Sequence, residues 1–341
     1  MSEEEKMNTA ATFVRNGKRG VISLGSSLKI QMPALVIPTR TLTVPHLTGD
    51  VLKRALSPNK FIIEAYAEDL LENPKLAQKC PFGIKKLADW NDFAVFLGTR
   101  KYSRQNLGPV TDFTSKENSD ALPKELFVLG ENKTGRIKMT LRELKELAVR
   151  FQPDVFIPPT GFDAFPGPLN EKIQRRCAEN TKLFHGFFQE GLDLPISKSG
   201  RLPITEGDVI IACDELDQIT TLTNHAVIYL RKRLGWEAFL EALKDGRIGL
   251  YNAGLAVDLA EAGQAIMTDA VEPYLMDLKD VKYQDDDSVL QPGCQCVACT
   301  EEGMGYMKGA VHHYLVVEEM LAPVLLTCHN LHQMEKLLSN Q

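Results

Sequence analysis

Three cysteines fall within six residues, Cys294-Gln295-Cys296-Val297-Ala298-Cys299, directly after Pro292-Gly293. C-x-C-x-x-C sets three sulfurs on one tight turn, where they can face a single Zn²⁺ at ~2.3 Å. A tetrahedral site then needs a fourth donor from another element, and His312, His313, Cys328, His329 and His332 all follow. His329 comes after the apolar run Val324-Leu325-Leu326 and is well placed to return to the turn. Cys328 is chemically suitable, but it adjoins His329, so one of the two must point away. His312 and His313 fall in the middle of a helical stretch. Four protein ligands leave no position for water, so such a site is structural and not hydrolytic. A redox pair with a spare thiol is the competing use of the same cysteines.

Other residues that could do chemistry have ordinary explanations beside them. Cys213 ends the run Val209-Ile210-Ile211-Ala212-Cys213 and reads as a small core thiol rather than a nucleophile. Cys80, Cys177 and Cys328 join it as free thiols. Asp285-Asp286-Asp287 reads as a solvated loop, because three adjacent extended side chains cannot converge on one ion. Lys18-Arg19, Arg175-Arg176 and Arg231-Lys232-Arg233 are local basic clusters that suit a solvated helix or turn face, or a phosphate contact.

The elements that must hold these groups alternate along the chain. Short β-type runs between Thr12 and Pro38, separated by Gly and Ser, predict hairpins at an N-terminal edge. Apolar runs then recur at Phe61–Ile63, Phe93–Leu97, Leu126–Leu129, Val155–Ile157 and Val209–Cys213. Thr140-Leu141-Arg142-Glu143 is a capping box, followed by Leu141, Leu144, Leu147, Ala148 and Phe151 at helical spacing. Residues 170–189 predict a second long helix, and Met304 to about Leu326 a third, broken near Ala322-Pro323. Residues 101–124 and 191–207 predict surface excursions. Strand–helix alternation favours a parallel α/β sheet, most simply a barrel, although a doubly wound open sheet would show the same alternation.

Composition bounds the answer without deciding it. The chain has 341 residues, 44% hydrophobic and 25% charged, close to the globular average. Lys and Arg number 39 against 45 acidic residues, a net charge of −6 that disfavours nucleic-acid binding by bulk charge but permits a local basic face. Seven scattered cysteines do not suit a disulfide scaffold. The acidic start Met1-Ser2-Glu3-Glu4-Glu5 lacks the pattern of a signal peptide, and no apolar run reaches the ~18 to 20 residues of a membrane span. The expectation is a reduced, intracellular protein.

Taken together, Cys294-x-Cys296-x-x-Cys299, His312-His313-Tyr314-Leu315 and Leu325-Leu326-Thr327-Cys328-His329-Asn330 resemble the zinc subdomain of the queuine/archaeosine tRNA-guanine transglycosylases. The resemblance assigns the metal to Cys294, Cys296, Cys299 and His329, the His of a His-Asn pair, with Glu301–Gly309 as an insertion. Pro38-Thr39-Arg40, Val44-Pro45-His46-Leu47-Thr48, Gly135–Thr140, Gln152–Phe156, Asp277-Leu278-Lys279-Asp280 and Lys282-Tyr283-Gln284 extend it and match the eukaryotic accessory subunits better than the catalytic ones. It implies a TIM-type (β/α)8 barrel with N-terminal β hairpins over residues 1–280. A C-terminal zinc-binding subdomain, holding one structural Zn²⁺, would then occupy residues 281–341.

That family exchanges guanine for queuine at the wobble position of tRNA through a covalent glycosyl-enzyme intermediate, which needs a carboxylate nucleophile and a second carboxylate for proton transfer. Its catalytic Asp-Ser-Gly-Gly-Phe-Gln loop corresponds here to Gly98-Thr99-Arg100-Lys101-Tyr102-Ser103. The strand that should end in Phe-Asp corresponds to Leu250-Tyr251-Asn252, and an amide cannot be that nucleophile. Its Gly-Gly base-binding strand is replaced by Val209–Cys213. Asp258 and Glu261 are carboxylates nearby, in or at the start of the next helix. The resemblance therefore implies a chain with no catalytic residues of its own, paired with a catalytic subunit as a heterodimer and contacting tRNA. It also implies a cytoplasmic protein, with peripheral attachment to the mitochondrial outer membrane. Two other readings compete: an active transglycosylase with a rearranged site, and a zinc-stabilised scaffold.

Overall fold

The computed structural model describes residues 11–16, 19–25, 27–72, 75, 79–100, 127–133, 135–160, 171–203, 205, 207–215, 226–300 and 305–340. The N-terminal tail, Lys18, the whole 101–124 excursion and the first part of the Glu301–Gly309 insertion lie outside them.

The chain opens with β1 (Ala11–Asn16), β2 (Arg19–Leu24) and β3 (Leu28–Met32), an antiparallel sheet in the order β1-β2-β3. Next come β4 (Ala34–Pro38), α1 (Gly49–Ala55), β5 (Phe61–Tyr66), α2 (Ala67–Leu70), α3 (Ile84–Leu87) and β6 (Ala94–Gly98). A hairpin of β7 (Phe127–Asn132) and β8 (Gly135–Thr140) leads into α4 (Leu141–Phe151), β9 (Val155–Phe156) and α5 (Glu171–Gln189). Then follow β10 (Lys198–Ser199), β11 (Ile210–Cys213), β12 (Val227–Leu230), α6 (Trp236–Leu243), β13 (Ile248–Asn252) and α7 (Gly254–Ala262). The chain finishes with an antiparallel pair, β14 (Gln264–Met267) and β15 (Tyr274–Asp277), and two helices, α8 (Lys308–Val316) and α9 (Leu321–Ser339).

Eight strands form one parallel sheet in the order β10-β11-β12-β13-β4-β5-β6-β9. Its strands are buried on both faces, as a parallel sheet covered by helices requires. Alternate residues separate into two cores. Val36, Ile62, Phe96, Val155, Tyr229 and Leu250 turn to the concave interior, which Ile22, Ile30 and Met32 of the N-terminal sheet close from below. Leu35, Ile63, Val95, Phe156, Leu230 and Tyr251 turn outward to pack against Leu144, Phe151, Phe239 and Leu255 of the helices.

The sheet is curled but is not a continuously laddered closed barrel. Its ends, β9 and β10, meet only at one parallel bridge, Phe156 to Ile196, made by Phe156 N–H to Pro195 O (2.9 Å) and Ser197 N–H to Phe156 O (2.9 Å). The sequence expectation of a barrel is corrected to that extent. The two-residue strands on either side, flanked by Pro153 and Pro195, are too short to sustain a ladder there.

Other expectations also shift. Leu35–Pro38, read with the hairpins, is the first strand of the parallel sheet. The run read as Leu126–Leu129 is a strand from Phe127 on, but not of the parallel sheet: β7 pairs antiparallel with β8 and buries alternate residues only. The 191–207 excursion returns to the scaffold at β10. The expected capping box is present, with Thr140 Oγ1 accepting Glu143 N–H (3.1 Å) and Glu143 Oε2 accepting Thr140 N–H (2.8 Å). The C-terminal helix breaks at residues 317–320 with Glu318 left-handed (φ 56°), not at Pro323, which sits in the first turn of α9 where its missing N–H costs nothing.

Candidate metal centre and the mouth of the sheet

The Cys294–Cys299 turn lies in a small core of its own, packed with Ala265, Met267, Met276, Leu278, Val311 and Leu326. Helix α9 lies between this core and the larger one. At ~100° per residue, Cys328, Leu331, Met334 and Leu338 face the sheet-and-helix core, while Leu325, Leu326 and His329 face the cysteines. That periodicity decides between the adjacent candidates: His329 turns to the sulfurs and Cys328 away from them.

Ligand atoms of Cys294, Cys296, Cys299 and His329 all lie within 4.8 Å of one another, and all four residues are buried. His329 Nδ1 is 3.8 Å from Cys294 Sγ, 3.5 Å from Cys296 Sγ and 3.4 Å from Cys299 Sγ. A tetrahedral centre with ~2.3 Å to sulfur and ~2.0 Å to nitrogen separates those atoms by roughly 3.5 Å, so the donor set fits Zn²⁺ in both chemistry and spacing. The other ring nitrogen, Nε2, donates to Ile266 O (2.9 Å), which leaves the Nδ1 lone pair aimed at the sulfurs. Thiol–thiol hydrogen bonds from Cys296 and Cys299 hold Cys294 well below the ordinary cysteine range. The same bond to Cys294 pushes Cys299 up to about 12. The shift on Cys294 runs toward the thiolate, the form in which a cysteine binds a metal.

The remaining candidates sit elsewhere. His312 is buried but bonds Leu278 O through Nδ1 (2.8 Å), and His313 is exposed. His332 hydrogen-bonds Cys294 yet is not one of the four clustered ligands. Asp286 accepts from Ser288 N–H (2.9 Å) and pairs with Lys308 (3.6 Å), so the acidic run is an anchored loop.

A second site lies at the C-terminal ends of the parallel strands, where α/β folds of this kind place their chemistry. A cavity of about 480 Å³ opens there, bordered by Glu64, Tyr66, Arg100, Arg231 and Asn252. Glu64 is buried at its floor and accepts the hydroxyls of Tyr66 (3.0 Å) and Tyr229 (2.8 Å), with Arg231 Nε 3.5 Å from its other oxygen. Burial, reinforced by the Glu64 charge, holds both tyrosines well above their ordinary range, so neither is a base. Arg100 closes one side: it grips Asp69 with two bonds (2.7 and 2.6 Å), donates to Thr39 O (3.1 Å) and stacks on Tyr66 (4.4 Å).

Asn252 ends β13 at this mouth, and both ends of its amide are engaged. Nδ2 donates to Arg231 O (2.9 Å), and Oδ1 accepts Gly254 N–H (2.8 Å) at the start of α7. Asp258 is ion-paired with Arg233, while Glu261 takes Arg40 (2.8 Å) and His46 (3.1 Å). The run Arg231-Lys232-Arg233, read from sequence as a solvated face or a phosphate contact, borders this cavity with Lys232 and Arg233 exposed and Lys232 on Glu215 (2.8 Å). Cys213 lies buried in the outer core, and burial pushes its thiol up to about 12, as befits an inert group. Sequence reasoning missed Glu64, Tyr66 and Tyr229. Their signal was a carboxylate and two phenols at strand ends otherwise apolar.

Comparison with known proteins decides the family. The family model described as "Queuine tRNA-ribosyltransferase" matches residues 136–340, more than half of the chain. The chain belongs to the queuine tRNA-ribosyltransferase family. Among its relatives, the "Queuine tRNA-ribosyltransferase accessory subunit 2" of Danio rerio is 22% identical, over 93% of this chain and 90% of the relative. That of Culex quinquefasciatus is 24% identical, over 92% and 80%. The "Queuine tRNA-ribosyltransferase" of Granulibacter bethesdensis is 38% identical, but over only 19% of this chain and 16% of its own length. The similarity to these accessory subunits thus spans most of the chain, whereas that to the bacterial member is confined to a short segment. Among the described residues of this family member, no helix is long and apolar enough to cross a membrane.

Proposed function

We propose that this chain is a non-catalytic accessory subunit of a queuine tRNA-ribosyltransferase. In that role it supports exchange of guanine for queuine at wobble position 34 of tRNAs with GUN anticodons while a catalytic partner does the chemistry. The observation that carries this reading is Asn252. At the strand end where the family's nucleophile is expected stands an amide whose donor and acceptor are both spent in holding the start of α7. An active site rearranged around Asp258 or Glu261 is disfavoured, because both carboxylates are committed to ion pairs.

Cys294, Cys296, Cys299 and His329 would hold one structural zinc ion. It would cross-link the cysteine turn to α9 and leave no ligand position for water. We take residues 1–280 as a transglycosylase-type barrel, with the Phe156–Ile196 bridge as its seam, and 281–341 as the zinc subdomain, which rests on β14 and β15. The partners are a catalytic subunit, in a heterodimer, and tRNA. The exposed apolar residues Val316, Val317 and Met320 at the end of α8 suit a subunit contact beside the zinc region. A cytoplasmic location, with peripheral attachment to the mitochondrial outer membrane, follows from the same reading.

The deciding experiment incubates the purified chain with guanine-34 tRNA and labelled queuine, alone and with a catalytic subunit. The expected result is no exchange alone and exchange by the complex. Exchange by the chain alone overturns the proposal, and failure to bind any catalytic transglycosylase favours a scaffold. The slope of tRNA binding against salt concentration reports how many phosphates the complex touches.

A further inference from the structure

One helical turn beyond His329, the side chain of Gln333 is fully buried, and its Nε2 donates to Cys294 Sγ over 3.0 Å. Its other end accepts the hydroxyl of Thr268 at 2.6 Å, and Thr268 Oγ1 in turn accepts from Gln291 Nε2 at 3.4 Å. These three side chains come from three places: α9, the connection after β14, and the segment just before the cysteines.

We propose that Gln333 is a positioning residue for the metal, its amide fixed by Thr268 and Gln291 so that an N–H is aimed at Cys294 before the ion binds. The proposal rests on the reading of the cysteine–histidine cluster as a zinc site. The direction of the amide follows from charge. A metal-bound cysteine sulfur only accepts hydrogen bonds, so an amide oxygen turned toward it would be repelled, and the hydroxyl of Thr268 donates to that oxygen. One lone pair of the hydroxyl accepts from Gln291, which restrains the rotor. Among the described residues, neither Cys296 nor Cys299 receives a side-chain amide, so Cys294 is singled out. The i, i+4 spacing of His329 and Gln333 lets one helix deliver a ligand and the group that orients a second ligand.

Asn330, between them, provides the contrast. It is equally buried, but it accepts Ile266 N–H (2.8 Å) and donates to Ala256 O (3.2 Å) and Gln264 O (3.0 Å), touching no sulfur. It fastens α9 to its neighbours without reaching the metal site.

The test uses the full-length chain, zinc-loaded, as wild type, Gln333→Leu, Thr268→Val and Asn330→Ala. Transfer of zinc to a chromophoric chelator and the absorption of the Co²⁺-substituted protein are measured alongside thermal unfolding. Gln333→Leu should weaken metal retention about 10- to 100-fold and shift the sulfur-to-cobalt charge-transfer band. Thr268→Val should act in the same direction to a smaller degree. Asn330→Ala should lower thermal stability and leave the cobalt spectrum unchanged. Unaltered metal release and spectrum in Gln333→Leu overturn the proposal, as does an Asn330→Ala spectrum that moves equally. If Gln333→Leu does not fold, Thr268→Val decides, because it keeps the amide and removes only its lock. A wild-type chain that retains neither Zn²⁺ nor Co²⁺ refutes the zinc reading itself, which separates that failure from this one.

Discussion

Glu68 makes the stability of this protein depend on pH in a calculable way. It lies in α2 just past β5, fully buried, with Oε1 accepting the Arg100 N–H at 2.9 Å. Oε2 has no hydrogen-bond partner among the described residues. Gly130 of β7 packs so closely on its Cγ that a methyl group there would come within 2.7 Å. Burial pushes Glu68 from its ordinary value of 4.5 up to about 7, and the charge of Arg100 offsets only part of the rise. The folded chain therefore holds this proton more tightly than the unfolded chain does. Its stabilising contribution is fully present below about pH 4.5 and is lost as the pH rises through 7. The displacement amounts to roughly 3 kcal/mol, at ~1.4 kcal/mol per pH unit.

Glu68→Gln replaces the carboxyl by a neutral isostere whose oxygen still accepts the Arg100 N–H. The variant should match the wild type near about pH 5 and exceed its stability by about 2–3 kcal/mol near pH 8.5. Urea unfolding of the two zinc-saturated chains, followed by far-UV circular dichroism across that range, measures the difference. Other titrating groups are common to both chains and cancel. A difference that stays flat with pH, or that turns against the variant above pH 7, refutes the reasoning.

Asn252→Asp should fail to create exchange activity in the radiolabel assay and should cost about 1–3 kcal/mol, because a carboxylate in place of Nδ2 faces the Arg231 carbonyl it now bonds. Thr140→Ala removes one arm of the capping box and should cost about 1 kcal/mol by thermal unfolding, with no change in metal content. Stripping zinc with a chelator should lower the unfolding midpoint, and restoring zinc at ~1,000 times its dissociation constant should return about 4 kcal/mol. Cys296→Ala should abolish that response, and full metal retention in that variant would refute its role as a ligand.

What could be read from the chain beforehand followed the strength of local signals. The α4 helix was legible residue by residue, because its cap and its apolar stripe point to the same element: the five positions predicted as its buried face are its buried residues. The parallel strands were legible as apolar runs where they were long, as in β5 and β6. At the seam, β9 was legible as the run Val155–Ile157 but β10 was not, since Lys198-Ser199 is polar and only two residues long, held by its neighbours and not by its own propensity. Leu126–Leu129 misled for the opposite reason, an apolar run whose alternating burial belongs to a hairpin.

At the metal centre spacing alone named the three sulfurs and offered five candidates for the fourth ligand, among which the family resemblance pointed to His329. Three-dimensional placement separates them: the ~100° step of α9 turns Cys328 and His329 to different cores, and the Ile266 carbonyl fixes the histidine ring. The floor of the strand-end cavity was out of reach for a related reason. Glu64, Tyr66 and Tyr229 are brought together from β5 and β12, which lie far apart along the chain, and only the order of strands in the sheet makes one oxygen accept both phenols. That network also bears on why an amide can stand at position 252. Glu64 is held by two tyrosines and Arg231, and Asp258 and Glu261 by cations, so each of these three carboxylates already has a partner. A new aspartate at 252 would set a carboxylate oxygen against the Arg231 carbonyl, an acceptor that now takes the amide's N–H.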